Sequence, residues 1–396
     1  MIVKNANLIT MKEDSILYGY DMLIEEGVIK KIAANIETGT EPHLDCTGKY
    51  IIPGLFDSHV HFDTPTTPTL LLANGVTSAR NMWGRPDILD LKKAIDSGEA
   101  DGPSIYSTGP IIDGSSSELK GSVAADTPGD ARAAVRASIE AGYDFLKTYP
   151  DIPRDAFFAL MEEAANVGIS VVGHGNWHVS FDELVKSGYY SIEHASCLPT
   201  NDEMITEIAH LGIWFTPTLI TLQNMVKFVN DDKDAKEIFP KEYIKYVDMV
   251  TLEHWNNDIE RCRKTPRFRS FKMEEFYRRT RIFAANSDRL LLGSDAPMPG
   301  TVAGFSIHCE LANLVEFVGL TPYQALAAGT VRPASCMKIA DRKGTIEEDK
   351  DADLLILNSN PLSNIRNSSE IYAVMKSERL YDRKRLDDML LSAQAS

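Results

Sequence analysis

What the chain lacks narrows the reading first. Its 396 residues include only five cysteines (Cys46, Cys197, Cys262, Cys309, Cys336), an odd number, widely spaced and with no C-x-x-C pair. That excludes a disulfide framework and a zinc knuckle, and it predicts reduced thiols in a cytoplasmic setting. No uninterrupted apolar run reaches the roughly 18 residues of a membrane span, and the opening MIVKNANLIT has no apolar signal core. Positive charge is scarce: 41 lysines and arginines face 57 acidic residues, a net charge of −16. No long acidic block carries the excess, so nucleic acid and anionic membranes are poor partners; the charge says little about the substrate, which is expected to be a small molecule on other grounds. A Gly-rich phosphate turn is missing too, which weighs against a doubly wound nucleotide-binding sheet.

What is present is ordinary globular composition, 43% hydrophobic and 25% charged, in a chain long enough to bury a large core. The first fifty residues hold short alternating stretches, IVKNANLIT and DMLIEEGVIKKIAANI, broken by Gly27 and Gly48, and read as short antiparallel strands. From residue 51 short apolar runs alternate with helical patterns. The strand candidates are IIPGLFDSH, GVTSAR, PSIYSTGP, DFLKTY, ISVVGH, YYSIEH, GIWFTPTL and RLLLGSD. Helical stretches between them, such as GDARAAVRASIEAG and RDAFFALMEEAANVG, end in glycine just past the last apolar turn. Eight such strand units predict an α/β fold, a (β/α)8 TIM barrel over residues 56–339. Thr321 and Pro322 read as N-cap and N1 of a helix, after which KGTIEEDKDADLLILNSNPLSNI returns to short strands. Residues 1–55 and 340–396 are therefore expected to form a small discontinuous β-sandwich domain, the tail YDRKRLDDMLLSAQAS being a weak terminal helix. A charged, helix-patterned insertion covers about 222–286, in the seventh unit. It reads either as a lid over the mouth of the barrel or as a surface hairpin at a contact between copies of the chain, which would make a homo-oligomer.

Polar residues cluster at strand ends. In GLFDSHVH, His59 and His61 are two apart and share a face if the strand is regular. DFLKTY ends near Lys147, ISVVGH at His174, YYSIEH at His194 and RLLLGSD at Asp295. The C-terminal ends of parallel barrel strands converge on one spot. Three or four imidazoles and one carboxylate there suit zinc or a similar divalent ion. Lysine is not an ordinary metal ligand, because its ammonium is a cation; its amine can add CO2 to become a carbamate, and from spacing alone a lysine with its charge in water is the simpler reading of Lys147.

These stretches, with ANGVTSARN, VVGHG, SIEHAS, LGSDAP, LTPYQALAAGT and the closing GTIEEDKDADLLIL, resemble the amidohydrolase superfamily of metal-dependent hydrolases over nearly the whole chain. The look is that of its imidazolonepropionase-like and Xaa-Pro dipeptidase-like members. The resemblance implies two divalent metal ions, zinc by expectation. His59, His61 and Asp295 would hold one and His174 and His194 the other, with Lys147, as a CO2-derived carbamate, and a hydroxide bridging both. It further implies attack on an amide, dipeptide or cyclic amide C–N bond, with Asp295 shuttling the proton to the leaving group.

Other residues are expected in lesser roles. Arg80, Trp83, Tyr149, His178 and His308 are candidates to touch substrate, Arg80 as the cation for a dipeptide carboxylate. Asp57 shares the expected face of His59 and is a candidate to orient a ligand. Glu193 is expected to point away and be structural, and His43, His210 and His254 to be incidental. A mononuclear deaminase on the same fold would need an acid shortly after the fifth-strand histidine, where HGNWH has Trp177. A mononuclear imidazolonepropionase-type site would leave Lys147 idle. Lactonase or phosphotriesterase chemistry on the same metals stays open, and a dead scaffold would have lost ligands that are all present.

Overall fold

The computed structural model describes residues 1–37, 39, 42–117, 121–231, 233–239 and 241–394. Seven parallel strands follow one another around a barrel: Leu55–Val60, Val76–Asn81, Ser104–Asp113, Phe145–Thr148, Ser170–Gly173, Ser191–Glu193 and Trp214–Thr216. The eighth predicted strand, RLLLGSD, forms no regular ladder yet closes the ring. Phe215 N donates to Arg289 O at 2.9 Å and Leu291 N to Phe215 O at 2.8 Å on one side. On the other, Ser58 N donates to Leu292 O at 2.8 Å and Asp295 N to His59 O at 2.6 Å. The irregularity has a steric cause. A Cβ on Gly293 would lie 2.9 Å from the His59 backbone nitrogen, and Asp295 sits at φ +57°, outside the strand region.

The helices follow the expected punctuation. Pro128–Ala141 starts at a capping box between Thr127 and Asp130 and ends at left-handed Gly142; Arg154–Val167 ends at left-handed Gly168. Pro322–Ala328 begins with Thr321 as N-cap, boxed with Gln324. Inside the barrel floor, Phe56, Phe145 and Val172 pack with Ala334 of the helix Val331–Cys336 and with Met337 just after it, so the interior is filled and the site lies at the strands' C-terminal ends.

Both termini build the second unit as one hydrogen-bonded sheet of eight strands, in which Leu354–Leu357 pairs antiparallel with Tyr50–Pro53. The sheet curls so that Ile29 N reaches Lys350 O at 2.9 Å, enclosing Val3, Leu8, Met22, Ile51, Leu354 and Met375. The run IIPGLFDSH, expected as a single strand, is two. Tyr50–Pro53 belongs to this sheet and Leu55–Val60 to the barrel, with Gly54 between them because any Cβ there would meet Thr77 at 2.2 Å. The terminal helix Arg383–Ser392 leaves the sheet and packs on the first barrel helix, Thr67–Ala73, through buried Leu386.

The helical segment differs in extent from the expected 222–286. Met273–Asn286 packs beside Asp202–His210 as the barrel's own seventh helix. The true insertion is Leu219–Val229, Met249–Lys264 and the short helices Ala235–Ile238, Lys241–Ile244 and Pro266–Arg269. Uniform charge and helical period along the segment hide that boundary from sequence. Among the described residues, no helix is long and apolar enough to cross a membrane.

Candidate metal centre

The strand ends meet as the barrel requires. Ligand atoms of His59, His61 and Asp295 all lie within 4.8 Å of one another. Asp295 Oδ1 is 3.3 Å from His59 Nε2 and 3.2 Å from His61 Nε2. His194 joins from the sixth strand, its ring 4.6 Å from that of His59 and 4.6 Å from that of His174. The Nε2 atoms of His174 and His194 face each other at 2.9 Å. Lys147 rises from the fourth strand, paired with Val172 of the fifth, and is 1% exposed.

Three buried nitrogens of these residues make no hydrogen bond to the described residues: His59 Nε2, which lies 3.3 Å from Asp295 Oδ1, His61 Nδ1 and Lys147 Nζ. Leaving one such atom unsatisfied costs about 1–3 kcal/mol. Unbonded His59 Nε2 and Lys147 Nζ, with His61 Nε2 3.2 Å from the same Asp295 carboxylate, are the pattern of groups that face a divalent cation, so the residues present fit metal. Burial opposes charge on Asp295, but His194 and His59 hold it well below the usual carboxylate range. Burial pushes Lys147 down to about 8, despite Glu193 and Asp295 nearby. Burial and the Lys147 charge together keep His174 neutral, its pKa well below the ordinary value.

The supporting residues reverse the expected roles of Asp57 and Glu193. Fully buried Glu193 accepts hydrogen bonds from His59 Nδ1 at 2.8 Å, Arg80 Nη2 at 2.7 Å and Ser191 Oγ at 2.6 Å, so it is the carboxylate that orients the His59 imidazole. Asp57 instead accepts from the His59 backbone N–H at 3.1 Å and from Ser294 Oγ at 2.5 Å; burial pushes its carboxyl up to about 7. Strict alternation failed for two local reasons. The pairing of the first strand slips between Asp57 and Val60, a bulge that re-aims side chains. His194 has φ +70°, so Glu193 and His194, which a regular strand would send to opposite faces, both reach the centre.

Arg80, expected at the pocket wall, is enclosed in the barrel: Nε donates to Ser58 O at 2.6 Å and Nη2 to Glu193 and Thr216. It steadies Glu193 and cannot meet a substrate carboxylate. His308, also expected to touch substrate, lies buried between helices. Its Nε2 donates to Asn74 O at 3.0 Å and its Nδ1 accepts from Ser368 Oγ at 2.9 Å, and burial lowers it to about 4. Tyr149 does adjoin the cluster, its ring 4.1 Å from that of His174. His178 is exposed on the following loop and donates Nε2 to Asp151 at 3.0 Å. Trp83 is half-buried beside the second strand, its carbonyl accepting from Asn81 Nδ2.

Comparison with known proteins agrees with this geometry. The amidohydrolase family matches residues 50–380, and the chain belongs to that family. It is 24% identical to ochratoxinase of Aspergillus niger, over 82% of this chain and 73% of that protein. A dihydroorotase of Carboxydothermus hydrogenoformans is 42% identical over a shorter stretch, 16% of this chain and only 15% of that protein. Among solved structures, a Xaa-Pro dipeptidase with bound methionine superposes with a TM-score of 0.77 at 21% identity, covering 96% of this chain and 99% of that one. That last likeness speaks to the fold alone.

Proposed function

We propose that this chain hydrolyses a C–N bond, of an amide, dipeptide or cyclic amide, at a pair of divalent metal ions, zinc being the expected ion. One observation carries the reading: Lys147, all but fully buried among His59, His174, His194 and Asp295, has no acceptor for its Nζ among the described residues. Burial disfavours the ammonium form, and the charges of Glu193 and Asp295 offset only part of that cost. With its pKa near 8, a useful fraction is neutral amine at physiological pH, and only the neutral amine adds CO2. The new N–C bond forms as one N–H proton leaves, giving a carbamate: an anion on a long stem, aimed where the five other proposed ligands converge.

His59, His61 and Asp295 would then hold one ion, His174 and His194 the other, and the Lys147 carbamate would reach both. Bound there, the ions would polarise the scissile carbonyl and lower the pKa of a water toward neutrality. The chain's own contribution is positional. Glu193 fixes the His59 tautomer, and Arg80 holds Glu193. Asp295, kept ionised by its histidine neighbours, can take a proton from the attacking water and deliver it to the leaving nitrogen. Tyr149, beside His174, lies where a bound substrate would contact it. The five cysteines are all unpaired, which supports a reducing, cytoplasmic setting.

The test is a substrate panel on metal-loaded protein: N-acyl amino acids, Xaa-Pro and other dipeptides, cyclic amides, lactones and phosphotriesters. Turnover of a member of the first three classes, lost to a chelator and recovered with added metal, is expected. Turnover confined to lactones or phosphotriesters would replace the C–N reading.

A further inference from the structure

The insertion's first helix, Leu219–Val229, begins in an unusual way. Its N-cap residue, Thr218, has φ +46°, a left-handed conformation that strains a β-branched residue. Threonine at an N-cap ordinarily turns its hydroxyl back onto the helix's free N–H groups, and this one makes no such bond. A residue from elsewhere does the capping. Glu310, fully buried on the helix Phe305–Glu316, accepts from Leu219 N and Ile220 N, both at 2.7 Å. A carboxylate is well suited to the positive end of a helix.

Released from capping, the Thr218 hydroxyl lies 2.7 Å from His194 Nδ1. The His194 Nε2 is the atom turned toward His174; with Nε2 the ligand atom, Nδ1 carries the hydrogen and Thr218 Oγ1 is its acceptor. The same helix reaches the other side of the centre. Thr221 Oγ1 donates to Ser294 O at 3.0 Å, one residue before Asp295, and Asn224 Nδ2 donates to Gly300 O at 2.9 Å. Positions 218, 221 and 224 recur every three residues, which places them along one side of the helix. From the rest of the insertion, Trp255 Nε1 donates to Pro297 O at 2.6 Å, and Phe239 occupies the space any Cβ on Gly300 would need.

We infer that the insertion is a fixed brace of the metal centre, with Thr218 the positioning residue that sets the tautomer and orientation of His194. Glu310 holds the helix that presents Thr218, and Thr221, Asn224 and Trp255 fix the loop that carries Asp295. This rests on the reading that His194 is a metal ligand. It assigns the insertion a role in holding metal, where sequence had left a lid or a contact between copies.

The experiment is a chelator titration of the metal-loaded full chain, reading metal released, on wild type, Thr218→Val and Thr218→Ser. Valine keeps the shape and removes the hydroxyl; serine keeps the hydroxyl. Thr218→Val should release metal at roughly tenfold lower chelator or less, with kcat reduced and KM and the melting temperature little changed. Thr218→Ser should follow wild type. Equal retention by Thr218→Val and wild type would overturn the brace while leaving the metal reading intact. If Thr218→Val does not fold, Thr218→Ala against Thr218→Ser decides: weaker retention by alanine supports the brace and equal retention overturns it. A wild-type chain that takes up no metal overturns both readings.

Discussion

Two buried lysines in this protein have opposite surroundings. Lys343, 8% exposed at the junction of barrel and sheet, donates to Asp353 and Ser104 and lies 3.6 Å from Asp351. Burial alone would pull it down, yet Asp353 and its neighbours hold it above the ordinary lysine value. Lys147 is buried more deeply, makes no hydrogen bond to the described residues and is pushed down. A lysine buried for the fold arrives with its carboxylate. One buried without a bonded carboxylate is the kind of group we propose to be modified. The comparison separates a stabilising ion pair from a site, although residue type and burial are nearly the same.

The largest expected effect breaks the comparison at Lys147. Lys147→Ala should lower kcat/KM by roughly 10³-fold or more, about 4 kcal/mol of transition-state stabilisation, in steady-state assays. Short carboxylic acids, supplying the missing anion, should restore part of it. At Lys343 the damage should be to stability. Asp353→Ala leaves buried Lys343 and part-buried Lys376, which lies 3.4 Å from the same carboxylate, without it, and should cost about 3–5 kcal/mol in denaturant unfolding, while metal per folded chain stays at the wild-type value. Asp295→Asn, which keeps size but cannot take up the proton, should reduce kcat by about 10²–10⁴-fold in the same assays.

A smaller effect tests whether buried carboxylates without a cation behave as the unpaired lysine does. Burial raises Glu310 to about 7. A carboxyl whose folded pKa lies above its unfolded value binds its proton more tightly when folded. Its contribution to stability is therefore complete below the unfolded value near 4.5 and is lost as pH rises toward 7. Wild type should lose up to about 3 kcal/mol from this group across that window, and the difference profile against Glu310→Gln should show that slope. A flat difference would mean Glu310 is charged throughout.

The sequence made the strand ends legible because a parallel barrel gathers them by topology, whatever the details of each strand. His59, Lys147, His174, His194 and Asp295 could be found that way. The direction of single side chains was not legible, since it depends on local departures from a regular strand. The slip after Asp57 and the positive φ of His194 exchanged Asp57 and Glu193, and no pattern in FDSHVH or SIEH announces either. Arg80 was placed at the wall for a related reason. It follows an apolar run as a pocket residue would, but its partner Glu193 lies 113 positions away in sequence. The end of the insertion was hidden because Met273–Asn286 has the same charged helical period as the helices before it. Only its packing on Asp202–His210 marks it as part of the barrel.

Metal content of the purified chain, counted per folded molecule for wild type and Lys147→Ala, tests the central claim most directly. We expect close to two divalent ions in wild type and a clear loss in the variant. One ion or none in wild type, or an undiminished pair in Lys147→Ala, would contradict the account.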